Sequence, residues 1–125
     1  MSDDRRPKLW HDAWKAAGLA MSFLDGVSFE EYLASTLVRS AAERQIMIVV
    51  EALNRAFALD AGLVQAIPDL HQLRGMRNHI VHQYDKTDHE MVYDAVSDEF
   101  PILRDRLAGL MRSVGWQDDN TLTPE

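Results

Sequence analysis

Cysteine is absent from the chain, which excludes disulfides and thiolate metal sites. Long apolar runs are absent too. No segment nears the roughly 20 apolar residues needed to span a bilayer, and no apolar stretch follows a basic start. A soluble cytoplasmic protein is the expectation. Positive charge is scarce: 13 Lys and Arg face 20 Asp and Glu, a formal net charge of −7. A protein that grips nucleic acid over its whole surface is usually basic, so any such contact here is confined to a local patch. Strand-like alternation is missing as well, whereas helical spacing of apolar residues runs nearly throughout. The 125 residues suit one domain, expected over residues 1–116, with 117–125 as a flexible tail.

The periodicity predicts a first helix over about Pro7–Leu24, with Leu9, Ala13, Ala16, Ala20, Phe23 and Leu24 inward. Pro7 suits its first turn and Asp25-Gly26 its stop. Ser28 and Glu31 read as a capping box that opens a short helix, Phe29 to about Ala34. A long helix, about Leu37–Leu59, carries Ile46, Val49, Val50, Leu53 and Phe57 on one stripe. Met47 and Ile48 lie off that stripe, so this helix is apolar almost all round. It is either central or covered by a partner subunit. Residues 60–69 read as a loop around Gly62 and Pro68. A helix over Asp69–His82 follows, and Thr87 with Glu90 reads as a second capping box. The last helix has Met91, Val92, Ala95 and Val96 inward, a kink or restart at Pro101, and an end at Gly115. The sum is an all-α bundle of about five antiparallel helices.

The stretch Arg77–Glu90, "RNHIVHQYDKTDHE", holds three of the five histidines. From Arg74 to Lys86 the only carboxylate is Asp85, so an acidic protein is locally basic there. At about 100° per residue, Leu70, Leu73, Ile80 and Val81 share one arc, and Arg77 falls inside it. Tyr84 returns two turns later to within about 20° of Arg77. Asn78 and His82 stack on the adjoining strip, with His71 two turns earlier. Arg77 and His82 stand about 140° apart, so a long side chain, a distorted last turn or a second copy of the helix has to bring them together.

Such residues permit specific chemistry. A guanidinium holds a phosphate through two hydrogen bonds and stabilises charge that builds there. A histidine takes a proton from a ribose 2′-OH or gives one to a leaving oxygen. Together they suffice to cleave RNA without a metal. Plainer readings stand beside this one. Arg77 could pair with Glu43 or Glu51, or send its head to water along an apolar stem. His82 could serve only as a cation at a helix C-terminus, and Tyr84 as a boundary aromatic. Asn78 could bond only to neighbouring backbone. A metal site would draw on His71, His79, His82, His89, Asp85 and Asp88, but His79 and His82 diverge by about 60° and no HExxH occurs.

Arg77-Asn78-His79-Ile80-Val81-His82-Gln83-Tyr84 closes an apolar helix and precedes "MVYDAVSDEFPILRDRL". This arrangement resembles the HepT-like family of the HEPN superfamily, toxins of prokaryotic toxin–antitoxin pairs, over roughly Leu9–Val114. Arg39, Glu43-Arg44 and Glu51-Ala52 are similar to residues at corresponding places in that family. Gln83 and Val50 depart from glycines common in relatives at or near those positions. The resemblance implies a homodimeric HEPN-like bundle whose two motifs line one cleft, acting as a metal-independent endoribonuclease with no cofactor. Arg77 would bind the scissile phosphate, His82 would be the acid–base residue, and Asn78 would orient the pair. Tyr84 would be adenylylated by a cognate minimal nucleotidyltransferase antitoxin of the MntA type, in a type VII-like system. The alternative is a non-catalytic HEPN module that docks a nucleotidyltransferase.

Overall fold

The computed structural model describes residues 4–82 and 87–116, and its regular elements there are all helical. In chain order they are α1 (Arg6–Leu24), α2 (Phe29–Ala34), α3 (Thr36–Leu59), the single turn α4 (Leu63–Ala66), α5 (Leu70–His82), α6 (His89–Asp94) and α7 (Phe100–Ser113). A π-helical turn, Ala95–Glu99, joins α6 to α7. The expected tail, 117–125, lies outside the described residues.

Small residues set the central packing. Ala13, Ala16, Ala17 and Ala20 are buried on α1, and Ile46, Val49, Val50 and Leu53 are buried on α3. The two helices run antiparallel: Arg6 at the start of α1 donates to Asp60, just past the end of α3, at 3.0 Å. Helix α7 packs on α1, and α5 packs on α3. Arg104 of α7 lies 4.1 Å over the Trp14 ring and donates to the Trp14 carbonyl at 3.1 Å. Gly18 makes room for it, because a Cβ there would come within 2.9 Å of the guanidinium. Tyr32, Phe100, Leu103 and Leu107 complete one continuous apolar core.

The helix ends follow from short-range chemistry. Ser28 accepts from Glu31 N–H, and Glu31 returns the bond to Ser28 N–H, so the predicted capping box forms. Arg39 donates to the carbonyls of Leu33 and Tyr32 and satisfies the open end of α2. At the end of α7, Trp116 N–H donates to the Met111 carbonyl and Gly115 N–H to the Arg112 carbonyl. This Schellman closure requires a left-handed residue, supplied by Gly115 at φ 67°.

Three expectations need correction. The 60–69 loop contains α4, a single turn too short to register as periodicity; Leu63 and Ile67 anchor it in the core. The second capping box does not form as read. Asp88, not Thr87, is the N-cap of α6 and accepts from Met91 N–H at 3.0 Å. Met91 is therefore turned out and is 37% exposed. At Pro101 the expected kink or restart takes the form of a restart: a π turn precedes it and α7 begins at Phe100. Pro101 has no N–H to offer the Ser97 carbonyl, and its ring would crowd that oxygen. Widening the preceding turn relieves both, and the chain re-enters an α-helix with Pro101 in its first turn.

Candidate functional site

Helix α5 carries the motif, and its buried residues are Leu70, Leu73, Met76 and Ile80. That arc is rotated by roughly 30° from the one read off the sequence, toward Met76. Val81 falls outside it and is 38% exposed. Arg77 moves from the middle of the stripe to its edge and is half-buried. Asn78, His82 and His71 are exposed on the far side. Tyr84 and Gln83 lie outside the described residues.

Two arginines one turn apart on α5 have different surroundings. Arg74 donates to Asn54 Oδ1 of α3 at 2.5 Å and lies 4.8 Å over the Phe57 ring. It fastens α5 to α3. Arg77 has no ion pair or hydrogen-bonding side chain among the described residues. The pairings considered for it do not form there. Glu51 is engaged by Arg55 at 3.1 Å, and Glu43 faces His89.

Arg77 instead borders a groove of about 680 Å³ that runs between α1 and α3. Leu9, Leu19, Met47 and Ile48 give it an apolar lining, with the buried Ala16 and Ala52 also facing it. Lys15, Arg44 and Arg55 join Arg77 around it, against Asp12 and Glu51. Both of those carboxylates already have cations: Lys8 at 2.7 Å for Asp12 and Arg55 for Glu51. The groove is thus apolar with a net basic margin. Neither Asn78 nor His82 borders it. In one copy of the chain, Arg77 and His82 face different directions, as the 140° separation implies.

Beyond the motif, side chains of two other helices approach the start of α6. His79 Nε2 accepts from Asp88 N–H at 2.8 Å. His89 Nδ1 lies 4.0 Å from Glu43 Oε2 on α3. Loss of hydration pushes the Glu43 carboxyl above its ordinary pKa, against the smaller opposing pull of His89 and Arg39. Tyr32 packs edge-on to His89 with ring centroids 6.3 Å apart. Its hydroxyl is buried with no hydrogen-bond partner among the described residues, and burial pushes its pKa up. Sequence reading found none of these contacts. The signal was available in one place: Asp88 as the cap puts Met91 three residues on, where a thioether has only a weak acceptor to return to the cap's N–H. Among the described residues, no three His, Asp or Glu side chains gather closely enough to hold a metal ion. None of the described helices is long and apolar enough to cross a membrane.

Fold and motif together define a class: all-α bundles that end a core helix in an arginine–histidine motif. The chain belongs to the Ribonuclease HepT-like family, whose model matches residues 15–109. It is also 21% identical over 104 residues to "Putative RNase MJ1216" of Methanocaldococcus jannaschii, spanning 82% of this chain and 84% of that protein. No solved structure matches the chain.

Proposed function

We propose that the protein is a metal-independent endoribonuclease, active as a homodimer, and the toxin of a type VII-like toxin–antitoxin pair. One observation carries this reading. Arg77 sits at the edge of an open groove with no carboxylate on it among the described residues, while Asn78 and His82 stand free on the same helix end. An arginine held only for packing or pairing would be spent as Arg74 is spent. The family match supports the ribonuclease class.

In the mechanism, the Arg77 guanidinium binds the scissile phosphate and stabilises its growing negative charge. His82 accepts the proton of the ribose 2′-OH as that oxygen attacks phosphorus. The P–O5′ bond breaks, and the departing oxygen takes up a proton. The products are a 2′,3′-cyclic phosphate and a 5′-hydroxyl. Asn78 orients the pair. A second copy, packed over the groove, supplies the His82 that one copy turns away from its own Arg77. Adenylylation of Tyr84 by an MntA-like nucleotidyltransferase places a charged, bulky group two residues from His82. The added phosphate repels the RNA backbone and its bulk obstructs the cleft.

Purified protein should cut RNA equally with and without chelator, and should spare a strand with 2′-deoxyribose at the cut position. Arg77→Ala or His82→Ala should lower kcat/KM by about a hundredfold or more. Loss of cleavage on chelation, or full activity in both variants, would overturn the reading. Incubation with the nucleotidyltransferase and ATP should add one AMP to the wild type and none to Tyr84→Phe. If the protein binds that partner but cuts no RNA, it is the non-catalytic module instead.

A further inference from the structure

We propose that His79, inside the motif but absent from the catalytic set, is a positioning residue that holds the His82 end of α5 against the start of α6. The inference rests on the ribonuclease reading and adds a residue to it.

The case begins with the cap of α6. In a full capping box the N-cap side chain accepts from the N3 amide, and the N3 side chain returns a bond to the N-cap amide. Asp88 makes the first half, accepting from Met91 N–H at 3.0 Å. Met91 is the N3 residue, and its thioether sulfur is only a weak acceptor. The Asp88 amide would be left to solvent, but His79 Nε2 accepts from it at 2.8 Å. A residue of α5 thus completes the cap of α6. The bond spans nine positions of sequence and joins the two described ends that flank residues 83–86. His79 lies between Arg77 and His82, one turn before His82, so the same contact fixes the last turn of α5.

The contact is directional. It needs a lone-pair acceptor at one distance from the helix axis, and an aliphatic side chain has none. It also needs no contact with substrate: the lone pair is already taken by Asp88. His79 therefore acts through His82, whose aim depends on where the last turn of α5 is held. A displacement of about 1 Å in a reacting group can cost up to a hundredfold in rate.

The experiment compares wild type, His79→Gln and His79→Ala by RNA cleavage, thermal melting and exchange of the Asp88 amide. Glutamine offers an acceptor of similar reach and alanine offers none. Alanine should lower kcat by about tenfold with KM for RNA within about twofold. Its Asp88 amide should exchange faster while the rest of the bundle stays protected. Glutamine should restore Asp88 protection and most of kcat, and the pH–rate profile should keep its shape in both variants.

If both variants cleave like wild type, the inference is overturned and the ribonuclease reading stands. If glutamine protects the Asp88 amide yet is as slow as alanine, the imidazole acts on its own account and the positioning role fails. A wild type that cuts no RNA overturns the ribonuclease reading and the positioning role together. Should alanine melt below the assay temperature, the glutamine comparison decides.

Discussion

Single residues in the bundle separate groups that are satisfied from groups that are not. The Tyr32 ring is fully buried and its hydroxyl has no hydrogen-bond partner among the described residues. Such a group has lost its water and gained nothing in return. Tyr32→Phe keeps the ring contacts with His89 and Tyr93 and removes the unmet hydroxyl. It should raise unfolding stability by about 1 kcal/mol, read from the denaturant midpoint at unchanged slope. Glu43 nearby gives a pH signature. Its carboxyl is raised above its ordinary value of 4.5, chiefly by lost hydration. Between that value and the raised one, the folded chain holds more proton than the unfolded chain. Stability from this group is therefore greatest below pH 4.5 and falls as pH rises through the window. Glu43→Gln should melt higher than wild type at pH 8, and the advantage should vanish below pH 4.5.

At the scale of elements, what could be read from sequence was whatever short-range chemistry decides. Ser28 with Glu31, Pro7 near the start of α1, and Gly115 after α7 each act within a few residues, and each does what its spacing predicts. The α6 boundary misled because Thr87-x-x-Glu90 and Asp88-x-x-Met91 offer two registers, and local rules favour the complete box. The winning register is completed by His79 from another helix, which no local rule sees. Asp88→Ala should therefore cost about 1 kcal/mol by chemical denaturation. Its backbone N–H stays available to His79, so cleavage should fall less than in His79→Ala. The motif helix shows the same division. That it has an apolar face was plain, but the direction of the buried arc depends on what α3 presents. Met76 is drawn in, Val81 is left out, and Arg77 comes to the edge. The Arg77, Asn78 and His82 set was legible as a list; the groove beside Arg77 was not, because α1 and α3 build it.

At the scale of the whole molecule, the groove between α1 and α3 leaves an apolar surface half-open, and its position bears on how a complete site is assembled. Met47 and Ile48, which made α3 apolar all round in the sequence, line the groove with Leu9 and Leu19 and are only partly buried where they pack against the core. Under the proposed function a second copy covers them. A two-fold contact then presents each chain's His82 to the other chain's Arg77. Ile48→Glu should keep its helical circular dichroism, since the residue is only half-buried. It should sediment as a monomer and lose cleavage. The sharper test mixes two inactive chains. In a dimer of Arg77→Ala with His82→Ala, one shared site carries both defects and the other carries neither. Random exchange of chains makes half the dimers mixed, so about a quarter of wild-type cleavage should return on mixing. A site built within one chain predicts no recovery, because every site then keeps one defect. Recovery that fails while the mixed dimer demonstrably forms would refute the shared site and leave the distance between Arg77 and His82 to be closed within one chain.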